Sequence, residues 1–114
     1  MAYLKSFSGS ILLKIEDNKI KEFNGMIKYC IRDNRVTDFS GRTLFNLDGN
    51  YIKDFSGRII LNVTYNQVKD FSGRTIANFD SSYIRDFSGM IQYRLDGFFS
   101  RRELLAVLAI LYAN

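Results

Sequence analysis

A chain of 114 residues, 46% apolar and 25% charged, has the size and balance of one globular domain, which excludes a disordered tail or linker. Its net charge of +4 is spread over bases that usually stand beside acids, so no basic run marks a nucleic-acid partner. One cysteine, Cys30, excludes an internal disulfide; histidine is absent; and no apolar run reaches the roughly 20 residues that cross a bilayer.

The first residues carry no signal-peptide h-region, and secreted domains this small more often carry disulfides. The expected setting is therefore soluble and cytoplasmic, without a membrane partner, and the glycosylation-like triplet Asn62-Val63-Thr64 is read as coincidence.

From the N-terminus to residue 98 the chain is one sixteen-residue unit repeated six times. Phe7, Phe23, Phe39, Phe55, Phe71 and Phe87 keep that spacing without insertion, and Gly9, Gly25, Gly41, Gly57, Gly73 and Gly89 follow two residues later. Three residues before each Phe stands an aliphatic side chain (Leu4, Ile20, Val36, Ile52, Val68, Ile84), and eight after it another apolar one (Ile15, Ile31, Leu47, Val63, Phe79, Leu95).

Each unit reads as two short strands and two turns. In the second strand Thr43, Phe45 and Leu47 alternate with Arg42, Leu44 and Asn46, the period of two that marks a strand. Asp-Phe-Ser-Gly suits a type I turn with Gly in the left-handed region, a common three-residue hairpin loop. Such a loop places Asp38 opposite Arg42, Asp54 opposite Arg58 and Asp70 opposite Arg74 as cross-strand ion pairs. The second turn (Asp17-Asn18, Asp33-Asn34, Gly49-Asn50, Tyr65-Asn66, Ser81-Ser82) also calls for left-handed residues.

Two architectures satisfy this pattern: a hairpin array that curls or closes into a flower or barrel, and a β-solenoid with stacked parallel rungs. The Asp-Gly-Asn turn and the Asp/Arg pairing favour hairpins. In either, the Phe row is expected in the core, with a stacking platform for sugars or bases as the alternative. The row Lys5, Lys21, Lys53, Lys69 and Arg85 is expected to be a solvated face neutralised by neighbouring acids, interrupted at Thr37.

After Asp96-Gly97-Phe98-Phe99 the pattern breaks. Ser100 with Glu103 forms a capping box, and a helix is expected from Leu104 to about Ala113. The helix has no charge after Glu103, so it must be covered on most sides. One face is expected to plug the repeat array, as terminal caps do. A second copy of the chain is the simplest cover for the other, with Leu104, Leu105, Leu108, Leu111 and Tyr112 as the candidate interface of a homo-oligomer. Arg101 and Arg102 oppose the helix dipole in the first turn. They are expected to pair with repeat carboxylates such as Asp96, or else to hold an anion.

Catalytic chemistry finds few residues. Without His there is no His-based general base, metal ligand or triad, and one Cys cannot build a thiolate zinc site. The glycines sit at turn spacing, matching no phosphate loop, and the carboxylates that could hydrolyse a glycoside lie in repeat register with structural partners. No enzyme, cofactor or metal is expected.

The unit Tyr51-Ile52-Lys53-Asp54-Phe55-Ser56-Gly57-Arg58 resembles the turn-strand units of small bacterial β-hairpin repeat proteins of the "4-fold β-flower" type. That resemblance spans residues 1–98 in style and implies a compact flower or barrel without known catalytic residues.

The expected whole is a single mainly-β domain, 1–114, with six two-strand repeats in 1–98 and a capping C-terminal helix in 99–114. The expected function is a non-enzymatic structural or protein-interaction module that self-associates. The alternative is a carbohydrate or anion binder using Tyr51, Asn50, Lys53 and their counterparts, with Arg101 and Arg102. An unknown protein partner fits either reading; nucleic acid, a third reading, predicts steep salt dependence.

Overall fold

The computed structural model describes residues 1–113; Asn114, the last residue of the expected capping segment, lies outside the described residues. Twelve strands form among them: β1 (Ala2–Ser6), β2 (Ile11–Glu16), β3 (Lys19–Glu22), β4 (Ile27–Arg32), β5 (Arg35–Asp38), β6 (Thr43–Asp48), β7 (Tyr51–Asp54), β8 (Ile59–Thr64), β9 (Gln67–Asp70), β10 (Thr75–Phe79), β11 (Tyr83–Asp86) and β12 (Ile91–Asp96). One helix, α1 (Arg101–Tyr112), follows.

Every strand pairs antiparallel with its sequence neighbour, and β1 pairs with β12, so the sheet closes into a barrel. The hairpin array is the architecture, and the solenoid is set aside because consecutive strands run in opposite directions. The repeat makes the register periodic: Ile15 faces Ile20, Ile31 faces Val36, Leu47 faces Ile52 and Val63 faces Val68. A shift of register recurs just before each Phe-Ser-Gly or Phe-Asn-Gly turn, as between Ile20 and Lys21 or Ile52 and Lys53. This is the bulge that accompanies such a turn.

Alternation sends one residue set inward. Leu4, Ile20, Val36, Ile52, Val68 and Ile84 are completely buried, and Ile15, Ile31, Leu47, Val63, Phe79 and Leu95 nearly so. Outward, four of the five bases in the Lys row are neutralised as expected: Lys5 lies 2.8 Å from Asp96, Lys21 3.3 Å from Glu16, Lys53 2.8 Å from Asp48 and Arg85 2.9 Å from Asp80, while Lys69 meets no acid among the described residues.

Where eight strands enclose only their own side chains, twelve leave a wider lumen. Here α1 fills it. Leu105, Ala106, Val107, Leu108 and Ala109 are all buried. Five consecutive residues go round more than a full helical turn, so α1 is covered on every side. The molecule measures 36 × 33 × 20 Å. A twelve-residue helix is about 18 Å long, close to the smallest of those dimensions. The inward row Leu13, Tyr29, Phe45, Leu61, Ala77 and Tyr93 joins the same core and varies more in size than the other two inward rows. Six equivalent walls meet one asymmetric helix, and these residues make up the difference.

The capping box forms: Glu103 N donates to Ser100 Oγ at 3.1 Å, and Ser100 N donates to Glu103 Oε1 at 3.0 Å. Among the described residues no helix is long and apolar enough to cross a membrane.

Candidate functional site

Barrel topology puts all six Phe turns on one rim and the Asp-Asn-type turns on the other. Each Phe turn is built by its neighbours. Asp38 Oδ1 accepts from Ser40 N at 3.0 Å, Ser40 Oγ at 2.6 Å and Arg42 N at 3.0 Å. The same three bonds recur at Asp54 and Asp70, and at Asp86 with Met90 N as the third donor. Gly41 N donates to Asp38 O at 3.1 Å, closing the turn, and Gly41 has a φ of 97°.

These bonds hold the four carboxyls below the ordinary value of 3.8, with the serine hydroxyl as the largest cause. The expected ion pairs to Arg42, Arg58 and Arg74 form at 3.5, 3.5 and 3.6 Å, but these arginines are about four-fifths exposed. Such pairs add little stability. The carboxylate organises the turn, and the paired arginine keeps most of its surface in solvent.

Phe is the one member of the tetrad without a task in this turn. Contrary to the expected core row, Phe7, Phe23, Phe39, Phe55, Phe71 and Phe87 are 66, 67, 77, 76, 80 and 77% exposed. The reason is geometric: each occupies the first corner of its turn, beyond the ends of both strands, where no inward face exists. Met26 and Met90 stand exposed on the same rim. The result is a crown of six rings, with successive hairpins about 10 Å apart at two strand spacings each.

Between crown members lie hollows. Phe55 shares one of about 420 Å³ with Arg42, Thr43 and Leu44 of the preceding hairpin. Phe87 shares another, about 450 Å³, with Arg74, Thr75 and Ile76. The rim is close to neutral: Glu22, Asp38, Asp54, Asp70 and Asp86 stand with Lys28, Arg42, Arg58 and Arg74, and with Arg94, whose guanidinium reaches the turn at Gly9. The chain's positive excess therefore lies elsewhere, on the barrel wall and the opposite rim.

The other expected site residues do not gather. Tyr51 is partly exposed, but Lys53 is engaged by Asp48, and Asn50 Oδ1 accepts from Arg101 at 2.9 Å. Tyr83, two hairpins away, is half-buried with the Arg85 guanidinium 5.2 Å from its ring centroid. Equivalent wall positions thus stay about 10 Å apart per hairpin. Among the described residues Arg101 and Arg102 meet neither Asp96 nor another carboxylate. Arg101 donates to Asn50 Oδ1 and, at 3.3 Å, to Val63 O, and Arg102 donates to Asp33 O at 2.7 Å. Both guanidiniums clamp the start of α1 to the turns of the rim opposite the crown. Beside that clamp Tyr65, Phe98, Arg101 and Leu104 help to line a hollow of about 430 Å³.

The expected helix interface is not an open surface. Leu105 and Leu108 are enclosed by the barrel, while Leu104, Leu111 and Tyr112 pack half-buried against the same core. Tyr112 lies at the far end of α1, and burial pushes its hydroxyl up to about 12, with Tyr93 and Asp86 adding to the shift. A raised value stabilises the fold up to pH 10.0, where the unfolded chain's tyrosine begins to ionise, and that contribution is lost as pH rises towards about 12. A Tyr112→Phe variant should lack this loss. Denaturation from pH 9 to 12 is expected to show the variant gaining on the parent above pH 10.0 and levelling near 12. Parallel curves would show that Tyr112 is not buried as described.

The crown is the feature that reading the sequence ranked second, as the platform alternative to a Phe core. Its signal was present in the turn assignment itself, since a residue between Asp and Ser in a type I turn cannot also face a core. By fold the chain is a closed β-hairpin repeat barrel, and comparison with protein-family models, curated proteins and solved structures finds no match.

Proposed function

We propose that this protein is a non-enzymatic structural or protein-interaction module of the cytoplasm, and that its contact surface is the crown of six phenylalanines. The observation that supports this reading is an exposed aromatic side chain in all six turns, at a position where the fold needs none. Asp, Ser and Gly in the same turns are each accounted for by a hydrogen bond or a backbone angle. Six rings of this exposure leave on the order of 900 Å² of aromatic surface on one rim. Exposed apolar surface gathered on one side of a domain and rimmed by polar residues marks an interaction site. Aromatic residues and Arg, the types enriched at interface centres, are what the rim offers.

The likeness to β-flower proteins enters here as a proposal of kinship in the hairpin unit, with six units in this chain. A carbohydrate or anion site on the Tyr51 wall has less support, because Lys53 and Asn50 already have partners.

A photo-crosslinking phenylalanine analogue at position 55, in cells expressing the full chain, tests the reading. Irradiation should give a covalent adduct of larger mass, while the same analogue at Phe98 on the opposite rim, 83% exposed, should give none. No adduct from position 55 would refute the crown as a contact surface.

A further inference from the structure

We infer that the crown's partner is a second copy of this chain, docked rim to rim; the inference rests on the crown being the contact surface. Three observations carry it.

The first is shape. A two-fold interface uses the same patch on both partners, so the patch must contain its own complement. The crown does. Its projections are the rings, and its recesses are the hollows beside Phe55 and Phe87, lined by Arg42, Thr43 and Leu44 and by Arg74, Thr75 and Ile76. Projections recur about every 10 Å round the rim. A facing rim turned by half a repeat puts each ring into the gap between two of the other's.

The second is area. The rings expose roughly 900 Å² per rim, the most that docking could bury from them, against the roughly 800 Å² per partner of a specific, stable complex. Few single surfaces of so small a domain reach that size.

The third is charge. Five acids and five bases share the rim, and Arg42, Arg58 and Arg74 each stand beside their own Asp, while the Arg94 guanidinium reaches the turn at Gly9. Two such rims meet without like-charge repulsion, and each exposed Arg can reach an acid of the facing copy. An anionic lipid surface would meet those five carboxylates directly, and membrane-binding faces instead concentrate bases on the inserting side. The bases in excess here lie away from the crown.

Sedimentation velocity of the purified full chain, from about 1 to 500 μM, tests the inference. The chain is expected to pass from monomer to a species of twice 13.2 kDa. Phe55→Ser with Phe87→Ser should weaken that association on the order of 100-fold or more, since buried aromatic anchors dominate such interfaces. The same variant should keep the parent's circular dichroism spectrum. Tyr65→Ser with Phe98→Ser, on the opposite rim, should leave the association unchanged. The adduct from position 55 should have twice the chain mass.

Five results would overturn the inference. A parent that stays monomeric at the highest concentration excludes the dimer. A dimer lost through the Tyr65 and Phe98 changes alone places the interface on the wrong rim. A position-55 adduct of another mass, or flotation of a monomeric parent with phosphatidylcholine vesicles that the Phe55 and Phe87 changes abolish, leaves the crown a contact surface but gives it another partner. Absence of any adduct from position 55 removes the contact surface itself.

Discussion

Replacing Leu108 by Asp should leave the chain unfolded at room temperature, and replacing it by Ala should cost about 3–5 kcal/mol. Leu108 is completely buried, and its neighbours Val107 and Ala109 on the same helix are too. The aspartate would put an unpaired charge at the centre of the barrel, with no base within the enclosed stretch Leu105–Ala109 of α1. The alanine would leave a hole that twelve hydrogen-bonded strands cannot close, because the barrel's circumference is set by the strand count. Domains of this kind have about 5–15 kcal/mol in total, so the first change exceeds the reserve and the second takes much of it. Urea denaturation followed by circular dichroism measures both. If α1 were an external cap with one exposed face, Leu108→Asp would leave a folded chain.

The second large effect is expected at the seam. Gly97 follows β12 with a φ of 91°, and a Cβ built there would lie 2.6 Å from Met1 O and 3.1 Å from Ala2 Cα. Gly97→Ala therefore combines a left-handed backbone, about 1–2 kcal/mol, with a clash against the strand that closes the barrel, about 1–3 kcal/mol more. Gly41 supplies the comparison. Its φ is 97°, yet nothing lies within 4 Å of its added Cβ, so Gly41→Ala carries the backbone part alone. The gap between the two variants in denaturant midpoint isolates the cost of prising β1 from β12. Equal midpoints would mean that the seam is looser than the pairing of Leu4 with Leu95 implies.

Local chemistry made much of this fold legible. The alternation in Thr43, Phe45 and Leu47, the Asp and Gly of the turns, and the Ser100 capping box each act over a few residues, and each predicted its element. The Asp/Arg pairs formed as well, although the Ser hydroxyl proved the stronger partner of the carboxylate. Position relative to the barrel was harder. An apolar Phe was assigned to the core on side-chain type alone, when its place in the turn put it outside. Closure into a flower or barrel was legible from the hairpin pattern, but the width of the ring was not. No periodicity shows that twelve strands make a ring wide enough to hold a helix, so α1 was given a second chain as cover when the barrel wall covers it. Arg101 and Arg102 were matched to carboxylates because charge is visible in a sequence. Their partners are mainly backbone carbonyls, brought close only by closure. The crown is the sum of these effects: local turn chemistry places each ring, and long-range closure collects all six on one rim.

The most direct measurement is the unfolding free energy of a chain carrying Phe→Ser at positions 7, 23, 39, 55, 71 and 87 together, at protein concentrations low enough to keep any dimer dissociated. Exposed substitutions shift stability by about 0.5 kcal/mol each, so the sextuple variant should stay folded within about 3 kcal/mol of its parent. A chain that fails to fold would contradict the account, because only a buried Phe row, at about 3–5 kcal/mol per ring, loses that much.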